Sequence, residues 1–284
     1  MKFYLIQLIF IFAVLLLGGG TVTGSASANS KEILIVAGAG SCTGTMKVVA
    51  GAFQKKHTKV IVEVLPSIGS AGGIRAVTEG KIDIGLSARP LKQEERGAGI
   101  IEEPYGRTAF IFGMQASNPA KNVTLAEIEE IYAGKRKSWD DGTPVRLILR
   151  PIADTSSTYL MSINPGVKSA SVKAHSIPGV FVGITDQDAA VQIEKTSGSF
   201  GITSAAIRKA EKRKIKPLSV DRVAPTLSNV LAGKYPYTMT MSLVYRRDKY
   251  GGAVKDFIEF VFFKDGRKLL SENDQMILPR ISGE

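Results

Sequence analysis

The chain has 284 residues, 44% of them hydrophobic, a formal net charge of +11 and a single cysteine. One cysteine excludes an internal disulfide framework, so stability has to come from a buried core, and the length allows one large α/β unit or two lobes of ordinary size. The positive balance suits small acidic ligands or an anionic surface; the basic residues are scattered and their densest run, 208–216, reads as an exposed helix end, so nucleic acid is not an expected partner.

The first residues read as an export signal: Lys2, an apolar run over 3–17, small residues, then Ala26-Ser27-Ala28 as a cleavage site. Residues 1–28 are expected to be removed, leaving a soluble periplasmic or extracellular chain of about 256 residues that carries about +10. The apolar run is short for a membrane anchor, and Cys42 lies too far into the folded part to be a lipoprotein's acylated cysteine.

Beyond the signal, the apolar run at 33–37 predicts a strand. The stretch Gly38-Ala39-Gly40-Ser41-Cys42-Thr43-Gly44-Thr45 predicts a turn, and 46–56 a helix with Val48, Val49, Ala52 and Phe53 on one face. A second strand at 60–65, a turn at Ser67-Ile68-Gly69-Ser70-Ala71-Gly72-Gly73, a helix at 73–79 and a third strand at 82–87 follow. This nearly continuous βαβαβ run implies parallel sheet. Ligands of such sheets sit beyond the carboxyl ends of the strands, where the turns at 38–45, 67–73 and 87–89 would converge.

Residues 108–114 predict another strand, and Asn118-Pro119 followed by a helix at 125–132 signals a fresh unit. The expected division is a first lobe of residues 29–105, a second of 106–224, and a return to the first over 225–284. In the second lobe a strand at 145–149 leads into Arg150-Pro151-Ile152-Ala153-Asp154-Thr155-Ser156-Ser157-Thr158; a helix is seeded at Thr185-Asp186-Gln187-Asp188 and a strand covers 199–203. The return runs extended to Tyr245 and ends in a helix with Val254, Phe257, Ile258, Val261 and Phe262 on its apolar face. No internal repeat or low-complexity tract stands out.

Three donor-rich turns carry the chemistry. A glycine turn feeding a helix N-terminus exposes backbone N–H groups, the macrodipole favours negative charge, and serine and threonine hydroxyls add donors. Arg150 is the foremost candidate, because a planar guanidinium forks two charge-assisted hydrogen bonds onto a tetrahedral oxyanion. With it stand Ser41, Cys42 and Thr43 of the first turn, Ser70 and Ala71 of the second, Ser87 at the third strand end, and Thr155, Ser156, Ser157 and Thr158. The same hydroxyls could serve as helix N-caps, a role compatible with anion binding.

Catalysis is not expected. A C-x5-R phosphatase loop fails at Val48, and neither His57 nor His175 stands beside a nucleophile motif. No lysine follows Gly44 to complete a P-loop, and Thr43 stands where a dinucleotide fingerprint needs glycine. Neither paired cysteines nor a histidine cluster points to a metal, so no cofactor is expected. Asp83, inside an apolar strand, reads as an anchor for neighbouring backbone.

The run Gly69-Ser70-Ala71-Gly72-Gly73-Ile74, continuing through Gly80-Lys81-Ile82-Asp83-Ile84-Gly85-Leu86-Ser87-Ala88-Arg89-Pro90-Leu91, resembles the GSSxGI…G…DIG…SRPL pattern of the phosphate-binding substrate-binding proteins of ABC uptake transporters. Residues 125–134 with Trp139, and Tyr235-Pro236, are similar as well, so the resemblance spans nearly the whole mature chain. It implies a two-lobed α/β fold of the type II periplasmic-binding-protein class, each lobe a mostly parallel sheet flanked by helices. It further implies a monomer that captures inorganic phosphate or a related tetrahedral oxyanion between its lobes and delivers it to an ABC transporter permease. Ligand contacts are implied at Cys42, Thr43, Ser70, Arg150, Ser156, Ser157 and Thr158. The chain departs from the pattern twice: Ser156-Ser157-Thr158 stands where the family has SGT, and Ala88 stands where some members carry an aspartate that accepts a proton from hydrogen phosphate. A sulfate, molybdate or tungstate receptor, an exported phosphoesterase and an anion sensor are the alternatives.

Overall fold

The computed structural model describes residues 31–97 and 99–280; the expected export signal, residues 1–28, lies outside the described residues. In chain order, β1 (Glu32–Gly38), α1 (Gly40–Lys56), β2 (Val60–Val64), α2 (Gly69–Thr78) and β3 (Ile84–Ser87) form the first run. The long β4 (Ile100–Gln115), β5 (Asn122–Val123), α3 (Leu125–Tyr132), β6 (Arg146–Leu149), α4 (Thr155–Met161), α5 (Pro165–Ala174), β7 (Phe181–Val182), α6 (Asp186–Lys195) and β8 (Ser199–Ser204) follow. Then come α7 (Ala205–Ala210), β9 (Ile215–Pro217), β10 (Ser219–Val220), α8 (Leu227–Leu231), β11 (Thr238–Arg246), α9 (Gly252–Phe262), α10 (Lys264–Glu272) and β12 (Gln275–Ile277).

The main sheet runs β2-β1-β3-β11-β4-β8-β6-β7. Its two flanks are parallel: β1 pairs with β2 and β3 on one side, β6 with β7 and β8 on the other. Between them β11 and β4 run antiparallel to their neighbours. The sheet is therefore parallel where short βα crossovers build it and antiparallel where the chain passes between flanks. Strand β4 pairs with β11 over Ile100 to Ala109, then with β8 and β9 from Phe110 onward. The point at which the sequence suggests a new unit, between 105 and 106, thus falls inside a continuous strand. It is marked by an irregularity: Ser242 faces Pro104 and Met241 faces Gly106, leaving Tyr105 as an extra residue. Proline gives the ladder no N–H, and a bulge accommodates the gap.

Helix α1 packs its Met46, Val49, Ala50 and Phe53 inward. Phe53 meets Phe257 and Phe260 of α9 edge-on, with centroids 5.2 and 5.5 Å apart. Burial of such a ring is worth about 1.5–3 kcal/mol before entropy is counted. Val48, expected on the buried face, is 38% exposed because the true helix starts earlier and its apolar stripe runs through Met46 instead. Around β8, Phe200 packs on Phe112 and Trp139, whose indole N–H donates to Gly198 O at 3.0 Å. Asp83 anchors backbone as expected, accepting from Ile35 N–H at 2.7 Å.

Candidate anion site

The carboxyl ends of β1, β2 and β3 are stitched into one surface. Ser67 Oγ and Ile68 N–H both donate to Gly38 O, at 3.2 and 3.1 Å, and Ala39 N–H donates to Leu86 O at 2.8 Å. Ala88 N–H donates to Ser70 Oγ at 3.1 Å. Glycine at 38 makes this closeness possible: its φ is +149°, and a Cβ there would stand 2.1 Å from Leu86 O.

The first donor-rich stretch is helix rather than turn. Helix α1 begins at Gly40, so Ser41, Cys42 and Thr43 form its first turn, and Thr43 Oγ1 donates back to Ala39 O at 3.2 Å. The glycines that suggest a loop serve close packing: a Cβ on Gly40 would lie 2.7 Å from a carboxylate oxygen of Asp186. The thiol of Cys42 points away from the cleft. It is fully buried, with Sγ 3.3 Å from Met241 Sδ and 3.6 Å from Ser87 O, and burial pushes its pKa up to about 12. A thiol so held is neither a cleft contact nor a nucleophile, which corrects the expectation of a side-chain role for Cys42.

Ser70, buried at the start of α2, accepts from Ala88 N–H and from Thr155 Oγ1 at 3.1 Å. The hydroxyl then keeps its own proton to donate. Ala71 is exposed and lines the mouth. Ser87 is buried and absorbed in its own turn, donating to Arg89 O at 2.6 Å and accepting from Arg89 N–H at 3.3 Å. In the third stretch, α4 starts at Thr155 with Asp154 as N-cap, whose Oδ1 accepts from Ser156 N–H at 2.9 Å. Helical geometry splits the hydroxyl cluster: Thr155 and Ser156 face the other turns, Ser157 donates to Arg150 O at 3.2 Å, and exposed Thr158 turns back to Asp154 O. Ser157 and Thr158 are therefore engaged with backbone rather than presented to the cleft.

Arg150, at the carboxyl end of β6, is 3% exposed. Its Nη1 donates to Gly183 O, its Nη2 donates to Asp154 Oδ2 at 2.9 Å, and its backbone carbonyl is also 2.9 Å from His175 Nε2. Its Nε is buried and makes no hydrogen bond. A buried guanidinium N–H without a partner is costly, and this one lies where the turns meet. Arg89, by contrast, is committed, forking 2.6 and 2.7 Å bonds onto Glu95.

The sequence reading missed one residue of this site. Asp186, the first residue of α6, has its carboxylate beside Arg150 Nε at 3.6 Å, accepts from Ser156 Oγ at 3.3 Å, and accepts a hydrogen bond from Ser41 N–H. Burial raises its pKa to about 6, against the opposing pull of Arg150 and with a further push from Asp154. Gln187 Nε2 next to it donates to Gly40 O at 3.0 Å, so α6 also clasps the start of α1. Prediction of β7 would have revealed Asp186: β7 lies parallel to β6 with Val182 opposite Leu149, which sets the residues after 182 beside those after 149. A two-residue strand gives too short a pattern to read.

Together Ser70, Ala71, Arg150, Asp154 and Thr155 line a cleft of about 330 Å³ with Ile68, Pro151 and Ile184 at its rim. Arrayed N–H and O–H donors around one arginine can hold a small oxyanion. Among the described residues no group of side chains could hold a metal ion, and no helix is long and apolar enough to cross a membrane.

The chain belongs to the PBP superfamily, whose domain matches residues 23–265. Protein SphX of Synechococcus elongatus is 26% identical over 277 residues, 89% of this chain and 80% of that protein. Phosphate-binding protein PstS 2 of Streptococcus pneumoniae is 32% identical over 107 residues, 38% of this chain and 36% of that protein. A solved Clostridium perfringens structure, described as a substrate-binding protein of a phosphate ABC transporter with bound phosphate, superposes with a TM-score of 0.75 at 23% identity, covering 87% of this chain and all of that one. At that identity the likeness establishes the fold: mixed α/β, a mostly parallel sheet flanked by helices.

Proposed function

We propose that this PBP-superfamily chain is an exported solute-binding protein that captures inorganic phosphate and passes it to an ABC permease without transforming it. The observation that carries the reading is Arg150, buried, placed at the strand ends where the donor turns converge, and holding an Nε–H without a hydrogen-bond partner. The relatives support it, since PstS 2 is a phosphate-binding protein and the Clostridium perfringens structure holds phosphate. In this reading residues 29–105 with 225–284 form one lobe and 106–224 the other, and the ligand binds between them. Contacts come from the first turn of α1 at Ser41 and Thr43, from Ser70, and from Arg150, Thr155 and Ser156. The chain acts as a monomer after removal of residues 1–28. Turnover is not part of this function: the chain's one thiol points away from the cleft and is buried and protonated.

Thermal melting of the mature chain against a panel of oxyanions tests the proposal. Phosphate at a hundredfold excess over Kd should stabilise by about 2.7 kcal/mol. A shift with sulfate, molybdate or tungstate and none with phosphate would transfer the site to another oxyanion. No shift with any would remove the binding-protein reading.

A further inference from the structure

We propose that this cleft also takes short alkylphosphonates, phosphoryl anions in which an alkyl group replaces one oxygen, and holds the alkyl group against an apolar rim. This ligand class rests on the oxyanion-binding reading above and widens it from inorganic phosphate to small organic phosphoryl compounds.

The cleft is polar and buried at one end, apolar and exposed at the other. Its inner end carries Arg150 and Ser70, 3% and 2% exposed, beside Thr155. Its mouth carries Ile68 and Ile184, 50% and 73% exposed, together with Pro151. These three rim residues come from separate loops, those that follow β2, β7 and β6. Apolar residues scattered singly over a surface are ordinary, whereas three that converge on one cavity from separate loops mark a place for an apolar ligand group. The polar side chains around them are already engaged. Ser67 Oγ donates to Gly38 O at 3.2 Å and accepts from Gly69 N–H at 3.4 Å, and Thr185 Oγ1 caps α6 by accepting from Asp188 N–H at 3.0 Å. Asp154, the carboxylate that lines the cleft, is held by Arg150 Nη2 and by Ser156 N–H, both at 2.9 Å. A phosphoryl group gripped by the inner donors directs its remaining substituent to this mouth. A hydroxyl there finds the neighbouring side-chain groups already bonded, whereas an alkyl group exchanges water for isoleucine. Space is sufficient: at roughly 30 Å³ for each water-sized oxygen, a tetrahedral oxyanion takes about 120 Å³ of the 330 Å³ cleft.

Calorimetric titration of the mature chain with methyl-, ethyl- and propylphosphonate, beside inorganic phosphate, tests the assignment. Affinity should rise about three- to fourfold for each methylene added, the gain that burial of one such group gives. Hydroxymethylphosphonate, which has a hydroxyl where ethylphosphonate has its methyl group, should bind more weakly than ethylphosphonate. Ile184→Ser, a change at an exposed position, should flatten the series and cost propylphosphonate at least fivefold more than it costs phosphate. Phosphate binding with no alkylphosphonate binding, or with affinity that does not rise along the series, would overturn the alkyl site and leave the oxyanion reading intact. Equal losses of phosphate and propylphosphonate in Ile184→Ser would also overturn it, by assigning the rim to closure of the cleft. Alkylphosphonate binding without phosphate binding would support the alkyl site and overturn the inorganic-phosphate reading. Absence of binding by every one of these anions would remove both.

Discussion

Thr155 Oγ1 donates to Ser70 Oγ at 3.1 Å, joining the start of α4 to the start of α2 across the cleft. The bond ties residues that lie 85 positions apart in the chain, and Ser70 in turn holds Ala88 N–H. Ser70→Ala would leave that buried N–H unpaired, so it should cost about 1–3 kcal/mol in denaturant unfolding. Thr155→Val should cost less, about 1 kcal/mol, because it removes only the cross-cleft bond. The double variant should be less destabilised than the sum of the two. Strict additivity would show that the bond is absent in solution.

Arg150 and Arg89 offer a paired test. Arg89 spends its guanidinium on Glu95, whereas Arg150 keeps an Nε–H that makes no hydrogen bond, with the Asp186 carboxylate 3.6 Å away. A lysine retains charge and loses the planar fork. Arg150→Lys should weaken phosphate binding by about 1–3 kcal/mol, and Arg89→Lys should leave it within about twofold. Equal losses in calorimetry would contradict the assignment.

Cys42 should be chemically silent. With a fully buried thiol and a pKa near 12, the native protein should not react with an aromatic disulfide reagent at pH 8, and one thiol should appear on unfolding. Cys42→Ser should keep phosphate binding within about tenfold, since the thiol does not reach the cleft. Rapid labelling of the native chain would place this helix turn differently.

The ligand-free protein should show the strain of Asp186 as a pH dependence. Its pKa is raised from 3.8 to about 6, so the fold disfavours its ionised form. This group's contribution to stability is therefore fully present below about pH 4 and is lost as pH rises through about 6. The loss is on the order of 3 kcal/mol at most. Asp186→Asn should melt above the parent at pH 8, with the difference shrinking toward pH 4. A difference that grows toward acid would reverse the sign and refute the account.

The α/β class, the βαβαβ opening and the convergence of the strand ends were legible because buried parallel strands and amphipathic helices repeat over enough residues to be read. Arg150, Ser70 and Thr155 were legible as polar residues at strand ends. The orientation of Cys42 was not, because helix α1 starts six residues before its apolar period becomes visible, and a turn and a helix start share the same glycines and hydroxyls. Ser157 and Thr158 look equivalent to Thr155 and Ser156 in a row of hydroxyls, and only the helical turn separates them. Asp186 reads as one residue of the Thr185-to-Asp188 capping box until the short β7 sets it beside Arg150.

Calorimetric titration of the chain from residue 29 onward with inorganic phosphate, beside Arg150→Ala, tests the central claim most directly. The account expects one phosphate per chain for the parent and at least a hundredfold weaker binding for the variant. A parent that takes up no phosphate, or a folded Arg150→Ala that binds it as tightly as the parent, would contradict the account.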